Sequence, residues 1–166
     1  MSEPIQGVRW KDLPPRPCPV VESLDLFGDR WSILIIRDVM NGVRRFDDLV
    51  DRLGISRATL SDRLRRLTAA GILVTADYDS GRGRTRTEYR MSERGWDLRH
   101  VLIALREWGD RHVLGEGNEP LRLVDRSTGH PVRLQLVDDQ TGAAVDPANL
   151  VHVAGPNFAP IRRDES

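Results

Sequence analysis

The sequence predicts a mainly α fold interrupted by one β-hairpin, with a small β appendage toward the C-terminus. Three observations carry this reading. Apolar residues recur at three- and four-residue steps from Pro19 to Leu73, and again from Ser92 to Val113, the period of an amphipathic helix. Between these stretches, "ILVTADYDSGRGRTRTEYRMS" alternates on both sides of a glycine-rich turn, as a hairpin does. From Leu114 onward short alternating runs replace the helical period.

Residues 1–17 are proline-rich and irregular, and are expected to form an N-terminal arm. A helix starts at Pro19, whose fixed φ suits a first helical position, and stops at Gly28. "DRWSILIIRDVMNG" places Trp31, Leu34, Ile35 and Val39 on one stripe and ends at Asn41-Gly42. "SILII" alone would suit a buried strand; the stripe favours a helix. A short helix, "RRFDDLVDRLG", turns Phe46, Leu49, Val50 and Leu53 inward and breaks at Gly54. In "GISRATLSDRLRRLTAAGIL", Ser56 is placed to cap the next helix. Leu60, Leu64 and Leu67 form that helix's buried stripe, and Gly71 takes the residue position just past its end.

The hairpin runs from Ile72 to Tyr78, turns over Asp79–Gly83, and returns with Thr85, Thr87 and Tyr89 alternating with Arg86, Glu88 and Arg90. Ser92 then caps one long helix reaching Val113, with Leu98, Val101, Leu102, Leu105 and Trp108 on one side. "EGNEP" is a linker, and "PVRLQLVDD" and "QTGAAVDPANLVHVAGP" supply β signals. The expected organisation is an arm (1–17), a main domain (18–114), a β appendage (115–157) and a flexible tail (158–166).

Composition excludes several classes. The 166 residues suffice for one core and a small appendage. Net charge is zero but uneven: residues 28–94 carry 14 basic and 10 acidic side chains, residues 95–166 carry 8 and 11. Lys11 is the only lysine; a GC-rich genome also favours arginine, so position must carry the argument rather than count. With Cys18 the only cysteine, no disulfide or cysteine-based zinc site can form within one chain. No apolar run approaches the roughly 18–20 residues that span a bilayer. The N-terminus lacks the apolar region of a secretory signal, so a cytoplasmic protein without membrane partners is expected. H-E-x-x-H, G-x-S-x-G and the phosphate-binding loop are all missing, and His100, His112, His130 and His152 are scattered. Neither enzymatic activity nor a cofactor or metal is expected.

The order helix, helix, short helix, glycine turn, helix, hairpin, long helix is that of a winged helix-turn-helix, whose second helix enters the major groove of double-stranded DNA with its N-terminal half leading. With its leucines in the core, that helix shows Ala58, Asp62, Arg65 and Ala69 on the opposite face, with Arg57, Thr59, Ser61 and Arg66 alongside. Small residues permit close approach to base edges, and arginines reach guanine or phosphate. Asp62 can accept from a cytosine amine or hold Arg65 or Arg66 in place. Arg82, Arg84 and Arg86 near the hairpin tip are candidates for the DNA backbone or minor groove. A solvated amphipathic helix would show the same wheel; the glycine turn, the arginine hairpin and the local positive charge favour DNA. The alternative is a winged helix that binds protein without specific DNA binding.

"CPVVESLDLFGDRWSILIIRDVMNGVRRFDDL", "GISRATLSDRLRRLTAAGIL", "TEYRMSERGWDL" and "LREWGD" follow one another between Cys18 and Val113. This ordered set resembles the HxlR-type winged-helix transcriptional regulators, a bacterial family related to the MarR type. The resemblance implies a homodimer on an inverted-repeat operator, with repression as the default. It also implies a sensing role for Cys18, because several members carry an oxidant- or electrophile-sensing cysteine there. One departure is "GRGRTR", where relatives carry a proline pair at the wing tip.

Dimerisation has an independent rationale. Val20, Val21 and Leu24, with Leu98, Leu102, Leu105 and Trp108, are more apolar surface than a small helical head covers. Pairing them between subunits would set two recognition helices about 34 Å apart; a monomer packing them internally is the competing reading. Cys18 precedes Pro19 at a helix start, where backbone amides favour a thiolate. Phe27, Trp31, Trp96 and Trp108 are candidate walls for a small apolar effector. The appendage "DRSTGHPVRLQLVDDQTGAAV" resembles the zinc-ribbon unit of some actinobacterial relatives, with Asp125, Thr128, Asp138 and Thr141 at the ligand positions and no thiolate. A metal-free ribbon is therefore expected, with His130 and His152 as surface residues.

Overall fold

The computed structural model describes residues 7–79, 85–115, 117–156 and 158. Helices α1 (Pro19–Phe27), α2 (Arg30–Met40), α3 (Phe46–Leu53) and α4 (Arg57–Ala69) lead into strands β1 (Leu73–Asp79) and β2 (Thr85–Met91), then α5 (Glu93–Trp96) and α6 (Arg99–Gly109). Two compact units are formed, Glu22–Leu134, and Met1–Val21 together with Gln135–Ser166.

In the larger unit α2 is the central helix. Ile35, Ile36 and Val39 are buried, and so are Ser32 and Asp38. Asp29 starts the helix: its carboxylate accepts from the amides of Trp31 and Ser32 at 3.1 and 3.2 Å and from the Ser32 hydroxyl at 2.5 Å. At the other end, the buried Asp38 carboxylate lies 2.8 Å from Arg37 and 3.1 Å from Arg52 on α3, so the buried charge is paired. Leu49 of α3 and Leu60, Leu64 and Leu67 of α4 close the core with Ile55, Ile72, Leu73 and Met91.

The turn between α3 and α4 follows the sequence reading. Gly54 has φ 61° and its amide donates to the Val50 carbonyl at 2.9 Å, a left-handed stop that a side chain would strain. Ser56 Oγ accepts from the Thr59 amide at 3.1 Å. Helix α4 ends in a Schellman motif: Gly71 has φ 68° and the Ile72 amide reaches the Leu67 carbonyl at 3.0 Å. The hairpin pairs Leu73 with Met91 through Asp79 with Thr85. Arg45 adds a bridge to Glu88, and the Tyr89 amide donates to the Arg44 carbonyl at 2.8 Å. The chain entering α3 thus lies along the outer edge of β2.

Two elements differ from expectation. The long helix after Ser92 is broken at Asp97–Leu98 into α5 and α6, and a π turn (Asp110–Leu114) follows. Ser92 does cap, accepting from the Gly95 amide at 2.9 Å, but its hydroxyl also donates to the Gly71 carbonyl at 2.6 Å. Arg94 donates to the Ala70 carbonyl at 3.1 Å. These bonds pin α5 to the end of α4, and α6 starts afresh beyond it.

The second difference lies in the alternating run "PVRLQLVDD", which forms no paired strand among the described residues. The Leu134 amide goes instead to the Glu107 carboxylate at 2.8 Å. What the segment does contain is a repeated turn. In "LVDRSTGHPV" the Asp125 carboxylate accepts from the amides of Ser127 and Thr128 at 2.8 and 2.9 Å, and one bridge joins Val124 to Pro131. In "LVDDQTGAAV" Asp138 accepts from the amides of Gln140 and Thr141 at 3.0 and 2.8 Å, and one bridge joins Val137 to Ala144. Gly129 and Gly142 take φ 71° and 67° at equivalent places. In the smaller unit the Val8 amide donates to the His152 carbonyl at 2.7 Å, and the Trp10 and His152 rings meet edge to face at 5.2 Å.

Burial pushes the Asp29 carboxyl up, but its bonds from Ser32 and the Arg63 guanidinium outweigh this and hold it below the ordinary value of 3.8. A depressed carboxyl contributes stability above its unfolded pKa and loses it as pH falls through the lower folded value. Asp29→Ala is therefore expected to cost about 1 kcal/mol at pH 7. The gap between variant and parent in urea unfolding should persist down to about pH 4 and shrink in stronger acid. A gap that widened on acidification would contradict this account.

Candidate nucleic-acid interface

Helix α4 presents Arg57, Ala58, Ser61 and Arg65 to solvent at and after its capped start, while Thr59 and Asp62 are half-buried. The Thr59 hydroxyl lies 2.8 Å from Ser56 Oγ, so it belongs to the cap. Arg65 donates to Asp62. Asp62 also takes Arg63 at 2.7 Å, and Arg63 continues to Asp29 at 3.0 Å. Arg66 turns toward α1, with the Asp25 carbonyl 3.5 Å away.

Arg57 is held by two contacts from α3. Its guanidinium stacks on Phe46 at 4.8 Å and bonds Asp47 at 2.9 Å. Asp47 also lies 3.8 Å from Arg86 on β2. Arg45 stacks over Tyr78 of β1 at 4.5 Å. These side chains line an open cleft of about 410 Å³ between the start of α4 and the hairpin. Among the described residues, its cations are Arg45, Arg57 and Arg86, and its carboxylate is Asp47. The proposed hairpin contacts Arg82 and Arg84 lie outside the described residues.

Sequence reasoning missed Arg45, Asp47 and Arg63. Arg63 sits at the flank of the helical wheel, and nothing local announces that its partner is the cap of α2, 34 residues earlier in the chain.

The other candidate residues are dispersed. Cys18 is half-buried and directly precedes α1. Phe27 and Trp31 pack against the core, as do Leu98 and Leu102. Val21 is half-buried, whereas Val20 and Leu24 on α1 and Val101, Leu105 and Trp108 on α6 are each more than half exposed. Trp96 lies under Arg99 at 4.4 Å, and Trp108 lies beside His112 at 5.4 Å. The cleft described above and a cavity beside α6 are lined by other residues than Phe27, Trp31, Trp96 and Trp108.

A capped helix with small and arginine residues at its start, set second in a helix-turn-helix and followed by a hairpin, defines a winged helix-turn-helix protein of the DNA-binding class. Residues 26–116 match the HxlR-like helix-turn-helix family, and the chain belongs to it. It is 36% identical over 139 residues to the HTH-type transcriptional regulator Rv3095 of Mycobacterium tuberculosis, covering 84% of this chain and 87% of that protein. The crystal structure of the transcription factor PA1607 is 34% identical, with a TM-score of 0.73 over 84% of this chain and 96% of that one. Both likenesses extend beyond the span of the family match. The redox regulator HypR in its reduced form is 29% identical, with a TM-score of 0.52 over 58% of this chain and 97% of its own. These relatives are transcriptional regulators, and the family is not enzymatic. Among the described residues, no helix is long and apolar enough to cross a membrane.

Proposed function

We propose that this chain is a cytoplasmic transcriptional repressor that binds an inverted-repeat operator as a homodimer through residues 18–114. The observation that carries the reading is the start of α4, where Arg57 is braced by Phe46 and Asp47 beside exposed Ala58, Ser61 and Arg65. Arg57, Ala58, Ser61, Asp62 and Arg65 face the major groove. Thr59 holds the cap and Arg66 supports from the flank. Arg86, with Arg82 and Arg84, takes the backbone beside it. A gel shift with duplexes tiled across the regions flanking its own gene, at two salt concentrations, tests this. One palindromic tile should give a discrete complex that survives competitor DNA and weakens with salt. Genomic fragments extend the search, and no specific complex in either set would leave a winged helix that binds protein.

The dimer rests on the unpartnered apolar stripes. Val20 and Leu24 on α1, and Val101, Leu105 and Trp108 on α6, stand at i, i+4 and i+7 spacings with more than half their surface in solvent. Leu98 and Leu102 stay with their own subunit's core. Light scattering after size exclusion should give a dimer at micromolar concentration and a monomer for Leu105→Asp. A monomeric parent protein would sink the dimer.

Cys18 is the candidate switch, supported by the likeness to HypR, named a redox regulator. With one cysteine per chain, oxidation joins Cys18 to the partner subunit's equivalent or to a small thiol. Diamide should release the parent protein from its operator and spare Cys18→Ser; equal release would remove the switch. Hydrogen bonds from Thr128 and Thr141 to Asp125 and Asp138 close the repeated turns, which supports a metal-free appendage. EDTA should accordingly leave the melting temperature unchanged.

A further inference from the structure

A second cavity shares no residue with the candidate DNA interface. It occupies about 540 Å³ between α6 with its π turn and the chain from Glu119 to Leu134, a volume in the range of small-molecule sites. One wall is apolar, made by Ile103, Leu123, Val132 and Leu134. The wall is fixed in place: the Glu107 carboxylate accepts the Leu134 amide at 2.8 Å, and Arg106 donates to the Leu121 carbonyl.

The charges around it do not balance. Each carboxylate of the lining is already engaged: Glu107 with that amide, Asp110 with Arg106 at 3.3 Å, and Glu119 with Arg122 at 3.3 Å. Arg111 and Arg133 also line the cavity, and among the described residues neither has an ion-pair partner. Two free guanidiniums beside an apolar wall suit a ligand with one anionic end and one apolar body, since arginine takes carboxylates in a bidentate fork.

We propose that this cavity binds a small organic carboxylate with an aromatic or aliphatic body, its carboxylate on Arg111 and Arg133 and its body on Ile103, Leu123, Val132 and Leu134. The lining includes none of the residues of the candidate DNA interface, nor Cys18, nor the aromatic residues considered above. The proposal does not depend on DNA binding.

Isothermal titration of the full chain with benzoate, 2-naphthoate and decanoate, each beside its uncharged amide, tests it. At least one carboxylate should bind, and its amide should bind at least 10-fold more weakly. Arg111→Gln and Arg133→Gln should each weaken the carboxylate roughly 10-fold or more. Both arginines are exposed, so these variants should melt like the parent protein; Val132→Asp should abolish binding by charging the wall. No binding by any of the three at millimolar concentration would overturn the proposal. So would equal binding of acid and amide, or affinity indifferent to both arginine substitutions.

Discussion

Gly95→Ala is expected to cost about 3 kcal/mol or more in urea unfolding. A Cβ built at Gly95 would stand 2.2 Å from the Ile72 carbonyl oxygen and 2.8 Å from the Met91 methyl group. The first neighbour is backbone at the start of the hairpin, held there by the Ser92 amide at 3.1 Å and hydroxyl at 3.0 Å. It cannot move without loosening the junction of α4, β1 and α5. Gly109 supplies the control. It is helical, with φ −65°, and a Cβ there meets nothing within 4 Å. Gly109→Ala should be neutral or stabilise by about 0.5–1 kcal/mol. A Gly95→Ala loss below about 1 kcal/mol, or a comparable loss at Gly109, would contradict this packing account.

Arg57→Ala and Arg65→Ala should each weaken operator binding by about 1–3 kcal/mol, roughly 5- to 150-fold, while leaving unfolding little changed. Both side chains are exposed, and their partners Asp47 and Asp62 are solvated too. The two substitutions separate by readout. A residue on a base edge relaxes sequence preference at one position; a residue on phosphate lowers affinity on all sequences and reduces the salt slope by about one. Arg63→Ala behaves differently, because Arg63 joins α4 to the Asp29 cap; it should lower stability first. Undiminished operator affinity in the Arg57→Ala, Arg65→Ala double variant would move the interface off α4.

Much of this fold was legible in the sequence because its signals are local. Ser56 and Ser92 announce caps, Gly54 and Gly71 announce left-handed stops, and Leu60, Leu64 and Leu67 announce a buried stripe. Each of these requires only neighbours within a turn or two. Contacts between distant segments were not legible. Asp38 is 1% exposed, and nothing in the periodicity of its helix marks it as buried. Leu98 and Leu102 read as part of one apolar stripe with Leu105 and Trp108, and periodicity did not show that the first two lie half-buried against the core while Val101, Leu105 and Trp108 stay more than half exposed. On the candidate site, periodicity indicated that Arg57, Ala58, Ser61 and Arg65 of α4 reach solvent but could not show that α3 braces Arg57. Nor could it show that the cavity beside α6 holds two unpaired arginines, since that depends on which carboxylates the intervening chain has already engaged.

Asp47 holds Arg57 at 2.9 Å and approaches Arg86 at 3.8 Å, and this has a consequence for how the protein searches a chromosome. On the interface proposed for α4, an encounter with a duplex would begin with an exchange of anions: a phosphate would replace the Asp47 carboxylate at Arg57. On random sequence that exchange would gain little, because one negative partner substitutes for another. On an operator the released guanidinium would gain a base edge as well. The carboxylate would thus shorten residence on wrong sites more than on the right one.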